Sequence, residues 1–141
     1  MTMTSTLSKT QPLTVQPSPR YGALALQGLV ATAFFAAGAA KLAGVPYMVH
    51  LFDVIGIGQW FRIVTGSVEI IGALALVIPG LASLGGLWLG GTMVAAVATH
   101  LFVLHTNPAP AITLGLLNTW IIYLRRNELA EMAKTVLSYI E

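Results

Sequence analysis

Five side chains in this sequence have the types and positions to do chemistry inside an apolar medium: Lys41, Arg62, Glu69, His100 and Asn118. Glu69 leads, because it interrupts the apolar run from Arg62 to Leu76. A carboxylate at the centre of a membrane-spanning helix costs about 2.5–3.5 kcal/mol on insertion scales, and such groups face a bundle interior or a water-filled cavity. Glu69 therefore needs partners. Two chemistries fit the residues available. In one, Glu69 is half of a buried ion pair with Arg62 or Lys41, while Asn118 and His100 are hydrogen-bonding glue between helices. In the other, the five side chains line a pocket for a polar head group, such as a quinone ring or a small anion, roofed by a segment carrying His50 and Asp53.

The elements that must hold these residues are helices. In the 60–78 run, Arg62, Thr65, Gly66, Gly72 and Ala73 share the helical face of Glu69, and Ile63, Val64, Ile71, Leu74 and Ile78 point the other way. One side is polar and small, the other suited to lipid. Three more apolar runs, 22–43, 81–104 and 111–124, complete four expected spans; the last is short against the usual ~20 residues. In the first run Gln27, Phe34, Ala37, Gly38 and Lys41 fall on one face, and Lys41 lies near its far end, where a long stem can reach the interface. It is either an interfacial anchor or the ion partner of Glu69.

Between the first two runs, 45–58 is apolar but too short to span. Pro46 can open a helix, Gly56 and Gly58 close it, and an interfacial or partly re-entrant helix is expected. Trp60 and Phe61 then suit an aromatic belt, as do Trp120 and Tyr123 at the other interface. The third span carries Gly86-Leu-Trp-Leu-Gly90, spacing that lets two helices approach closely; a homodimer through the Gly86/Gly90 face is one use of it. His100 lies near the outgoing end of that span and His105 just outside it. Asn118 shares a face with Ala111, Gly115 and Arg125. After Arg125-Arg126, Asn127 is the expected N-cap of a helix over 127–141, with Glu128 in its first turn. Leu129, Met132, Val136, Leu137 and Ile140 stripe one side of it and Glu131, Lys134 and Ser138 the other. This predicts an amphipathic helix on the membrane surface or docked on a partner. Residues 1–20, rich in Ser, Thr, Gln and Pro, are expected to be a disordered cytoplasmic tail.

Composition narrows the class. Of 141 residues, 56% are hydrophobic and 9% charged, where soluble domains carry roughly a quarter charged. Seven basic residues against five acidic are too few for a nucleic-acid footprint. The absence of cysteine excludes disulfides, thiol redox chemistry, zinc–thiolate sites and cysteine-ligated iron–sulfur clusters. No metal ligand set, phosphate-binding loop, nucleophile triad or paired carboxylate points to independent catalysis. Four spans put both termini on one side with Lys9, Arg20, Arg125, Arg126 and Lys134, against Lys41 and Arg62 on the other, so both termini are expected in the cytoplasm. That topology brings Lys41, Arg62, Glu69, His100 and Asn118 into the same outward half of the membrane, with Glu69 about 10 Å deeper than Arg62.

The run Gly38-Ala-Ala-Lys41-Leu, the short proline-containing link and Gly66-Ser-Val-Glu69-Ile-Ile-Gly72 together resemble the DoxX family of small four-span bacterial membrane proteins. The likeness extends over most of the chain from Arg20 to Arg126. It implies an all-α, four-helix transmembrane bundle in the cell inner membrane, with a short interfacial helix between spans one and two. It also implies association with membrane-bound oxidoreductase assemblies: a membrane subunit or anchor for a soluble redox partner, with quinone as a candidate cofactor. Haem, through His100 with His50 or His105, is disfavoured, since histidines so scarce and scattered are more often interfacial hydrogen-bonders. Two alternatives stay open, a small-solute transporter or exporter and a structural assembly protein with no ligand.

Overall fold

A computed structural model describes residues 19–139; most of the expected N-terminal tail lies outside the described residues. The chain folds as an all-α bundle. In order, the helices are α1 (Pro19–Leu42), α2 (Pro46–Ile55), α3 (Gln59–Val77), α4 (Ala82–Phe102), α5 (Ala109–Leu124) and α6 (Arg126–Ser138). Three of them, α1, α3 and α4, are long and apolar enough to cross a membrane. The apolar α5 has 16 residues, a length of about 24 Å at the usual rise.

The breaks between helices follow from local chemistry. Gly44 takes the left-handed region at φ +67, which suits a residue without Cβ, and Pro46 then opens α2 at its first turn. Gly56, at φ +79, closes α2 and donates its N–H to the Phe52 carbonyl. Pro79-Gly80 turns the chain sharply between α3 and α4. Asn107 Oδ1 accepts the Ala109 N–H at 2.9 Å and starts α5. One expectation is corrected here: α6 begins at Arg126, with Arg125 rather than Asn127 as its N-cap. The Arg125 carbonyl, which accepts the Glu128 N–H, also accepts the Ser83 hydroxyl. That anchor moves the helix start to Arg125 and leaves Asn127 exposed.

The four long helices stand in a square in which α1 packs against α3 and α5, and α4 against the same two. Val30, Phe34, Leu76, Leu89 and Ile121 fill the middle and are fully buried. Glycines set how closely the helices approach. A Cβ at Gly38 of α1 would lie 2.7 Å from the Gly66 carbonyl oxygen of α3, and one at Gly72 would lie 2.5 Å from Leu89 of α4. Outward faces are the reverse of a soluble protein's: Leu29, Ile71, Val94, Phe102 and Leu116 are each more than 60% exposed. In hydrocarbon such surface carries no penalty, and close backbone contact supplies the association that the hydrophobic effect would supply in water.

Candidate functional site

The Gly38–Gly66 crossing positions the first polar cluster. One turn after Gly38, Lys41 passes alongside Gly66, whose missing side chain leaves room for the lysine stem; a Cβ there would lie 3.0 Å from that of Lys41. The stem runs inward along α3, and Nζ reaches Glu69 Oε2 at 2.7 Å. The two side chains retain 12% and 9% of their accessible surface. Of the two roles open to Lys41, ion partner and interfacial anchor, the geometry selects the partner. On α3 itself Gly66, Glu69, Gly72, Ala73 and Leu76 are buried, while Ile63, Val64, Ile71 and Leu74 are exposed, as the helical wheel requires.

Arg62 belongs to the same corner with a different task. Its Nη1 donates to the Lys41 carbonyl and its Nε to Gln59 Oε1 at 2.6 Å. The Lys41 carbonyl is one of the last four of α1, which have no partner within the helix, so Arg62 caps α1 from outside. Gln59 Nε2 donates in turn to the Val49 carbonyl at 2.9 Å and to Asp53 Oδ1 at 2.7 Å. With Phe52 edge-on to Phe61 at 5.9 Å, this chain of bonds holds α2 against the α1–α3 corner. Asp53 is thus tied into the cluster through Gln59, whereas His50 is exposed.

The other two members of the five-residue pocket bond elsewhere. His100 Nδ1 shares a hydrogen bond of 2.7 Å with Thr106 Oγ1 in its own connecting loop. Asn118 is wholly buried, but its Nδ2 donates to the Leu114 carbonyl of its own helix at 2.9 Å, and among the described residues its Oδ1 has no partner. Asn118 sits against α4, where a Cβ at Gly86 would lie 3.1 Å from Ile122 and 3.5 Å from the Asn118 carbonyl oxygen. The Gly86/Gly90 spacing therefore serves close packing of α4 on α5 within the chain, and that face is not free for a homodimer. What the structure brings together is Lys41, Glu69 and Arg62.

A second polar cluster, at the opposite end of the bundle, escaped the sequence reading. Gln27 is 4% exposed; its Nε2 donates to the Leu76 carbonyl at 3.0 Å, and its Oε1 accepts from Arg125 Nη2 at 2.8 Å. Arg125 also lies 3.6 Å from Glu128 Oε1. Glu128 Oε2 accepts the Ser83 N–H at 3.2 Å, and the Ser83 hydroxyl donates to the Arg125 carbonyl. The signal in the sequence was a glutamine on a small-residue helix face; its partner lies 98 residues away. Gln27→Leu is expected to cost about 1–3 kcal/mol, because it strips a half-buried guanidinium of its acceptor. Detergent-induced unfolding of the purified protein measures that loss.

Chemically, the Lys41–Glu69 pair has unused capacity. Among the described residues Glu69 Oε1 receives no hydrogen bond, and the ammonium has N–H donors beyond the one given to Oε2. A neutral head group carrying both an acceptor and a donor matches that set. A family model described as the DoxX-like family matches residues 25–122, a stretch that holds Gln27, Lys41, Arg62, Glu69, His100 and Asn118 and stops short of Arg125 and α6. No curated protein and no solved structure matches the chain.

Proposed function

Since this chain belongs to the DoxX-like family and is a membrane protein, we propose that it is a membrane subunit of a redox assembly whose Lys41–Glu69 pair receives the head group of a lipid-soluble quinone. In this reading α5 is a fourth span, both termini are cytoplasmic, the membrane is the bacterial inner membrane and a soluble redox protein docks on the bundle. The supporting observation is a largely buried ion pair joining two helices long and apolar enough to cross a membrane, with hydrogen-bonding capacity left over. A quinone carbonyl would accept from Lys41, and a quinol hydroxyl would donate to Glu69. Bound there, a quinone supplies a two-electron, two-proton carrier. The chain's own contribution is to orient the ring and to keep a charged donor and acceptor in hydrocarbon, where such bonds are strong.

Glu69→Gln tests this directly. The amide keeps the shape and can still accept from Lys41, but it loses the charge. In nanodiscs, quinone affinity is expected to fall about tenfold or more, the usual worth of a hydrogen bond to a charged group. Unchanged quinone binding would defeat the proposal. A second reading has its own support: Arg62 caps α1 and holds Gln59, so the corner also works as a structural joint in an assembly protein without ligand. Under that reading Glu69→Gln lowers stability and abundance, and a quinone binds neither form.

A further inference from the structure

α6 leaves α5 at Arg125 and presents three sides, separated by the helical advance of about 100° per residue. Glu128, Leu129 and Met132 are half-buried where α6 meets the bundle. Asn127, Glu131, Lys134 and Ser138 form a polar and exposed side. Ala130, Ala133 and Leu137 form an apolar side that no part of the described chain covers; Leu137 is 62% exposed. The polar and apolar sides adjoin, about a quarter-turn apart, and each lies about a third of a turn from the side that meets the bundle. A helix with protein on one side, water on the second and hydrocarbon on the third has this disposition.

The surface from which α6 continues is apolar and exposed. Trp120 and Tyr123, in the last turns of α5, are 57% and 58% exposed, and the Arg126 guanidinium lies over the Tyr123 ring at 4.7 Å. Aromatic rings with a cation beside them mark a membrane interface. The second polar cluster fixes the angle at which α6 departs. α4 starts at Ala82 after Leu81, which provides no side-chain cap. The Ser83 N–H, one of the orphan donors of that helix start, is taken instead by Glu128 from α6. The acid also suits the positive end of the α4 dipole. The Ser83 hydroxyl returns a bond to the Arg125 carbonyl, and Gln27 holds the Arg125 guanidinium. Each helix end satisfies the other.

We infer that α6 lies in the bilayer interface with its Ala130–Ala133–Leu137 side in lipid, and that Gln27, Ser83, Arg125 and Glu128 form the latch that sets it there. Nothing in this depends on what the Lys41–Glu69 pair binds. The chain has no cysteine, so single nitroxide labels can be placed on the full-length protein without removing a native thiol. The variants are Ala133→Cys, Leu137→Cys, Lys134→Cys and Ser138→Cys, reconstituted in phosphatidylcholine–phosphatidylglycerol vesicles and read by power-saturation spin resonance. Labels at 133 and 137 are expected to be reached by oxygen and shielded from a water-soluble nickel complex; labels at 134 and 138 are expected to show the reverse. Equal access of the nickel complex to all four positions overturns lipid burial. Shielding of 133 and 137 from both reagents does so too, and assigns that side to a protein partner. Adding Glu128→Ala is expected to erase the difference between 134 and 137 while the bundle's own unfolding transition remains; if the difference persists, the latch is overturned. Ser83→Ala, which removes the hydroxyl and keeps the backbone donor, is expected to erase it only in part.

Discussion

Replacing Lys41 by methionine is expected to destabilise the bundle by about 3–5 kcal/mol, the usual cost of removing one partner of a buried ion pair. Methionine matches the lysine stem, so the groove beside Gly66 stays filled and the loss is electrostatic. Glu69, 7% exposed, is left without its cation, and Arg62 does not replace it while tied to the Lys41 carbonyl and to Gln59. The double variant Lys41→Met/Glu69→Leu is expected to recover most of that stability, since replacing both charges by apolar groups of similar volume is often neutral or better. Detergent-induced unfolding of the two single variants and the double, followed by tryptophan fluorescence, gives the coupling energy. A Lys41→Met cost below about 1 kcal/mol, the range of solvent-exposed pairs, would show that the pair is not sequestered in the membrane.

The second large effect is expected at Gly38. Gly38→Val places its Cβ 2.7 Å from the Gly66 carbonyl oxygen and 2.8 Å from Ile70 Cγ1. A side-chain tip can turn aside, but a backbone carbonyl within a helix cannot. The helices must separate, and the Lys41–Glu69 contact separates with them. The expected loss is about 3 kcal/mol or more, at or beyond the top of the usual range for overpacking. Gly28→Val on the same helix is the control, because nothing lies within 4 Å of its Cβ position; it is expected to be near neutral. Thermal stability in detergent and elution as a single species separate the two. Equal behaviour of the two variants would mean that α1 and α3 do not touch through Gly38.

Much of this was legible from the chain alone, and the misses share one cause. Apolar runs and their breaks give helices, and period 3.6 gives the buried side of α3, because both depend on near neighbours in sequence. An expected depth in the membrane also follows from counting residues. Azimuth does not. A four-span topology groups His100 and Asn118 with Glu69 by expected depth alone, but Asn118 is on α5, which packs on α4 and α1, and His100 bonds back to its own loop. Lys41 posed a similar problem, since a lysine near a helix end can point outward or inward, and the choice turns on the small Gly66 across the groove. Arg125 contributed only a charge to the topology count. Its real neighbours, Gln27 and Ser83, come from helices that begin more than forty residues away, beyond what periodicity along one element can report.

The spacing of the Lys41–Glu69 pair carries a consequence for biogenesis. Lys41 leaves the ribosome 28 residues before Glu69, an interval of about 1–6 s at ordinary elongation rates. Through that interval α1 has its cation but no counter-ion, and the carbonyls of its last turn have no Arg62. The ammonium must wait at the water boundary, which pins the far end of α1 and fixes its direction before α3 emerges. When α3 arrives, its acid enters hydrocarbon beside a charge already in place. The order of synthesis thus makes the cationic helix the template and the acidic helix the guest, and a chain with the two residues exchanged would have to insert its carboxylate alone.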